Sequence, residues 1–133
     1  MSHLTPRLIP SLLVSDMAET LAFYETLGFH LSGCETAHAE ARWAEVSRDA
    51  ITLQFYCDPP NGTPQHPVCS GTLYLHPTSV DELADELAAR GVVFAWGPEE
   101  MEYGMREFAV RDPNGYLLAF TEPGAGGTHE RSS

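Results

Sequence analysis

Gly104-Met105-Arg106-Glu107-Phe108-Ala109-Val110-Arg111-Asp112-Pro113-Asn114-Gly115-Tyr116-Leu117-Leu118-Ala119-Phe120 decides the fold. Two apolar-rich runs flank Asp112-Pro113-Asn114-Gly115. Aspartate, proline, asparagine and glycine each favour a turn for a different physical reason, so the stretch predicts strands at 106–110 and 116–121 joined by a tight turn. A counterpart lies earlier in the chain. Trp43-Ala44-Glu45-Val46-Ser47-Arg48-Asp49 leads into Ile51-Thr52-Leu53-Gln54-Phe55. Arg48-Asp49 corresponds to Arg111-Asp112, and Phe55 to Phe120. This predicts strands at 42–47 and 51–56.

The correspondence extends outward. Asp16 matches Asp81 and Gly28 matches Gly91. Ser79 and Glu82 form an S-x-x-E capping box, and Asp16 with Glu19 resembles one. Val80, Leu83, Ala84, Leu87 and Ala88 then follow the spacing of one helical face. Gly28 and Gly91 stop the two helices, because glycine accepts the left-handed cap conformation. Further strands are expected at 8–14, 29–32, 72–75 and 92–96. Pro10 limits hydrogen bonding in the first and points to an edge position. Each copy reads β-α-β-β-β. The prediction is an α+β fold of two tandem βαβββ modules, 7–57 and 71–122, forming curved mixed sheets around a cleft within a single domain, 1–122. Residues 58–70, rich in proline and glycine, form the linker. Residues 123–133 read as a flexible tail.

The length, 133 residues, suits one compact domain, and a hydrophobic fraction of 43% is that of a globular chain. No apolar run approaches the ~20 residues that span a bilayer, and no signal peptide opens the chain. The net charge of −12 and pI of about 4.7 repel nucleic acid and anionic lipid and attract cations. Cys34, Cys57 and Cys69 are odd in number and widely spaced. That fits free thiols in a reducing, cytoplasmic setting. None sits at a helix start, where a thiolate would be stabilised.

The pattern Asp16…Phe23-Tyr24…Leu27-Gly28-Phe29, together with Phe108…Arg111-Asp112-Pro113-Asn114-Gly115, resembles the vicinal oxygen chelate superfamily. That group contains glyoxalase I, extradiol dioxygenases and bleomycin resistance proteins. The resemblance spans about residues 7–122, and it marks the fold better than the function. It implies that metal-binding members carry ligands at positions matching Ile9, Gln54, Gly71 and Ala119. A catalytic divalent metal needs about three protein ligands and an open position, whereas these four supply a single neutral amide. The histidines His3, His30, His38, His66, His76 and His129 form no helical ligand pair, and ordinary surface or core roles are expected of them. The expectation is therefore no catalytic residue, no metal and no cofactor.

Within the superfamily the segment 104–113 is most similar to the bleomycin resistance proteins. That resemblance implies a homodimer that sequesters a cationic, partly planar antibiotic. It places a stacking aromatic at Trp43 and a second within a residue of Tyr103. Met105 and the composition of 97–105 depart from the family pattern. The residues themselves agree in kind: Trp43, Tyr103, Trp96 and Phe55 offer ring faces, and Glu102 and Glu107 bring negative charge near them. Against this, Trp96 and Phe55 also suit a core, the glutamates of 99–102 a solvated loop, and Arg106 with Glu107 a cross-strand ion pair. The alternative reading is an enzyme, a glyoxalase-like lyase or isomerase or a dioxygenase, with a displaced metal site. A third is a binder of some other small molecule.

Overall fold

The structure, a computed structural model, describes residues 3–35 and 41–124. It divides into two units, 1–67 and 68–133. The first contains β1 (Ser11–Leu13), α1 (Met17–Thr26), β2 (His30–Cys34), β3 (Trp43–Arg48) and β4 (Ile51–Tyr56). The second contains β5 (Thr72–Leu75), α2 (Val80–Ala89), β6 (Trp96–Glu100), β7 (Met105–Arg111) and β8 (Leu117–Pro123). The sheet orders are β1-β4-β3-β2 and β5-β8-β7-β6. In each sheet the first strand pairs parallel to the last, and the other pairings are antiparallel. The expected α+β class and the repeated βαβββ order are both present.

Both helices start and stop by the same devices. Asp16 Oδ1 accepts the Glu19 N–H at 3.0 Å, and Ser79 Oγ accepts the Glu82 N–H at 3.2 Å. The end of α1 is a Schellman motif: Gly28 N–H donates to Glu25 O at 2.9 Å and Phe29 N–H to Tyr24 O at 3.0 Å. Gly28 has φ +88°, and the Phe29 ring packs edge-on against Tyr24. Gly91 and Val92 repeat the two bonds at the end of α2. Asp16→Ala is expected to cost about 1 kcal/mol of stability, read from the urea midpoint, because one helix-start N–H loses its acceptor.

Strand alternation divides each sheet into two faces. In the first unit Ala44, Val46, Leu53 and Phe55 are buried, on the face whose Phe55 ring meets Tyr24 of α1 at 4.9 Å. In the second, Phe108 stacks on Phe120 at 4.8 Å. Their face also carries Arg106, whose guanidinium grips the Asp81 carboxylate at 2.8–3.1 Å at the start of α2. Glu122 Oε1 accepts the Val80 N–H at 2.8 Å, which ties α2 to β8. The Asp112 turn is closed by its own side chain, whose Oδ1 accepts the N–H groups of Asn114 and Tyr116 at 2.8 and 2.9 Å.

Four expectations are corrected. The strand expected at 8–14 shrinks to three residues, and Leu8 is exposed. Pro10 cannot donate, although its carbonyl still accepts from Gln54 N–H at 2.9 Å. β1 is indeed an edge strand. The strand expected at 92–96 begins only at Trp96 and runs through glutamates that read as loop. Its register shifts between Trp96 and Glu99, a bulge made where Gly97 lies at φ +77°. Of the expected cross-strand pairing at Arg106 and Glu107 only the first is present: Arg106 reaches Glu100 across on β6 at 3.9 Å besides holding Asp81, whereas Glu107 faces the other way and forms no ion pair among the described residues. Pro123 is not tail but the last residue of β8, opposite Met105. Residues 125–133 of the expected tail lie outside the described residues. β2 also carries a register shift, between Leu31 and Gly33.

Candidate functional site

The second unit gathers three of the expected site residues around one carboxylate. Glu107 points away from the Phe108 face and is fully buried. Its Oε1 accepts the Tyr103 hydroxyl at 2.6 Å, and its Oε2 accepts the Trp96 indole N–H at 2.9 Å. Among the described residues no lysine, arginine or histidine forms an ion pair with it. Both partners are neutral donors, so a buried acid stands without a compensating cation. Such a group is costly unless something else meets it.

Local structure explains the arrangement. The bulge at Gly97 turns β6 so that Trp96 sits opposite Ala109, on the same face as Glu107. Tyr103 rides on the turn into β7, which Gly104 closes by donating to Met101 O at 2.9 Å. Tyr103 is 55% exposed as a residue, while its hydroxyl reaches Glu107. Burial first, then the bond to Glu107, pushes the Tyr103 phenol well above its ordinary range. The hydroxyl therefore remains a donor throughout ordinary pH. A smaller upward push comes from Tyr74.

Thr121 lies directly across from Glu107 on β8. Its Oγ1 is buried and has no hydrogen-bond partner among the described residues. Tyr74 stands opposite Ala119 on the same face and is exposed. Neither Thr121 nor Tyr74 was singled out from the sequence, although the parity of Glu107 and Ala109 against Thr121 and Ala119 carries the signal. Glu102 is exposed on the turn.

The first unit holds the other two candidates on opposite faces. Trp43 is half-buried and lies across from Tyr56. Its ring passes close over Gly33, where an added Cβ would come within 3.5 Å. Next to it in sequence, Arg42 and Asp58 form a two-pronged pair at 2.6 and 3.0 Å, which holds the Asp58 carboxyl below its usual range. Phe55 is corrected to a core residue: its ring is fully buried against Tyr24 and has no free face.

The four positions matching the superfamily's metal ligands do not fit a metal. Ile9 and Ala119 carry only hydrocarbon, and Gly71 has no side chain. The Gln54 amide is engaged, its Nε2 donating to Glu45 Oε1 at 3.1 Å. Glu45 is held on its other oxygen by Ser32 at 3.0 Å. Among the described residues no three His, Cys, Asp or Glu side chains gather to hold an ion elsewhere. His38 and His129 lie outside those residues. No described helix is long and apolar enough to cross a membrane.

Comparison with known proteins follows the same lines. No curated protein matches the sequence. A bleomycin-binding protein solved with bleomycin is 26% identical, with a TM-score of 0.68 over 89% of this chain and 98% of that one. An antibiotic binding protein from Streptomyces sp. CB03234 is 28% identical, with a TM-score of 0.67 over 92% of this chain and 97% of that one. A glyoxalase/bleomycin resistance protein/dioxygenase from Nocardioides shares the fold at a TM-score of 0.75 and 20% identity, over 100% of this chain and 92% of that one. The family model that matches residues 1–120 is the Glyoxalase/Bleomycin resistance protein/Dioxygenase superfamily, and this chain belongs to it.

Proposed function

We propose that this protein is a metal-independent binding protein of the bleomycin-resistance type, a cytoplasmic homodimer that sequesters a cationic, partly planar antibiotic. The observation that carries the reading is Glu107, a fully buried carboxylate held among the described residues by the neutral donors Trp96 and Tyr103. Such a group is suited to a cation, and two aromatic rings stand beside it. The similarity to a bleomycin-binding protein and to an antibiotic-binding protein supports the ligand class. The poor donor set at Ile9, Gln54, Gly71 and Ala119 supports metal independence. Free cysteines support a reducing compartment. Exposed Leu31, Ile51 and Val93 offer apolar surface for a second chain. In this reading Trp43 of one subunit and Tyr103 of the other stack on the ligand, and Glu102 adds to the acidic field.

The test is titration calorimetry with bleomycin at low and high salt. Wild-type protein is expected to bind, more tightly at low salt because screening weakens the attraction. Trp43→Ala is expected to lose about 1–3 kcal/mol of binding, roughly tenfold to a hundredfold in affinity, with the melting temperature nearly unchanged. No binding at low salt retires the antibiotic. Equal binding by Trp43→Ala retires Trp43 as a platform. Sedimentation equilibrium at micromolar concentration should give a dimer, and a monomer there overturns the two-subunit arrangement.

A further inference from the structure

Within that reading, we infer that Glu107 and Thr121 form an anchoring subsite for a protonated nitrogen bearing at least two N–H donors, and that the Tyr103 hydroxyl is a displaceable stand-in for it. The fitting ligand group is an aryl amidinium or a similar aromatic cation.

The inference starts from two buried polar groups that can each accept a further hydrogen bond. The Glu107 carboxylate has two neutral donors and no cation. The Thr121 hydroxyl has no hydrogen-bond partner among the described residues. They are direct cross-strand neighbours on one face of the β7–β8 pair. A buried hydroxyl left unsatisfied carries a desolvation cost, so a fold that keeps one across the strands from a buried acid is suited to an incoming group. A cation with two N–H bonds gives one to Glu107 Oε1 and the other to Thr121 Oγ1. The Trp96 indole stays on Oε2, and its ring offers an apolar wall.

In this subsite Tyr103 is the side chain that moves to admit the ligand. Tyr103 is more than half exposed and sits on a turn beside Gly104, which lies at φ +86°. Rotation of Tyr103 frees Oε1 while β7 and its pairing stay in place. The released ring remains beside the opening, where it and Tyr74 flank the aromatic part of the ligand. Glu99 stands opposite Glu107 on β6 and adds to the attraction without a bond of its own. Charge selection then happens at Glu107, and shape selection among the rings.

Benzamidine is the probe and benzamide its neutral counterpart of nearly equal shape, both titrated by calorimetry into the full-length protein. Wild type is expected to bind benzamidine at least about thirtyfold more tightly than benzamide. Tyr103→Phe keeps the ring and removes the competing hydroxyl, so it should tighten benzamidine binding about tenfold. Thr121→Val should weaken benzamidine about fivefold and leave benzamide unchanged. Glu107→Gln should erase the charge preference. Should Glu107→Gln fail to fold, the half-exposed Tyr103→Phe decides: an unchanged affinity overturns the stand-in role, since a merely structural hydroxyl would lower the melting temperature and leave binding alone. Failure of wild type to bind benzamidine, or equal affinity for benzamide, overturns the subsite. Bleomycin titrated in parallel separates this from the antibiotic assignment. Benzamidine binding through Glu107 without bleomycin binding keeps the subsite and retires the antibiotic. Bleomycin binding indifferent to Glu107→Gln and Tyr103→Phe does the reverse.

Discussion

Phe55→Ala is expected to destabilise the protein by about 3–5 kcal/mol. The ring is fully buried and meets Tyr24 at a centroid distance of 4.9 Å. Removing it takes away the apolar surface it withdraws from water and leaves a void between β4 and α1 that rigid neighbours fill only in part. Urea unfolding should show the midpoint falling with the slope unchanged. Leu8→Ala makes the useful contrast, because Leu8 is 86% exposed and should cost no more than about 0.5 kcal/mol. A small effect at Phe55 would return that residue to the list of ligand-facing rings.

Gly97→Ala should be nearly as damaging, for a backbone reason. At φ +77° an L side chain costs about 1–2 kcal/mol. In addition, the new Cβ would clash with the backbone of Glu107, its carbonyl oxygen above all, and lie 2.9 Å from Phe108 Cα. Backbone cannot step aside as a flexible side chain does, so β6 must move off β7, adding about 1–3 kcal/mol. That shift also draws the Trp96 N–H from Glu107. Loss of stability should therefore come with a change in Trp96 fluorescence. Gly91→Ala has a similar φ, +85°, but open space around the added Cβ. It should show only the backbone part.

These cases also show where the sequence was readable. Elements set by local chemistry were legible: β4 and β5 fall on 51–56 and 72–75, and the caps at Asp16, Ser79, Gly28 and Gly91 lie where the residue types demand. The duplicated order followed from them. What depended on distant partners was not. The run 92–96 has the composition of a strand, yet its bonding to β7 begins at Ala95, whose N–H donates to Ala109 O at 2.7 Å. Glu99 and Glu100 look like loop residues until β7 supplies a partner. Glu107 sits between Arg106 and Phe108 and reads as half of a surface ion pair. Only the pairing across to Thr121, together with the fold-back of Trp96 and Tyr103, makes it a buried acid. Phe55 and Trp43 are both aromatic strand residues, and only the position of α1 tells the core ring from the half-open one.

The four outer strands of the two sheets have a consequence for how copies of this chain can meet. β1 and β5 are only three and four residues long. β2 and β6 are broken by register shifts, and Pro98 and two glutamates occupy β6. Short, kinked, charged or proline-bearing margins make poor templates for a neighbouring strand. The chain therefore has little tendency to polymerise edge to edge when concentrated, a hazard for any open sheet.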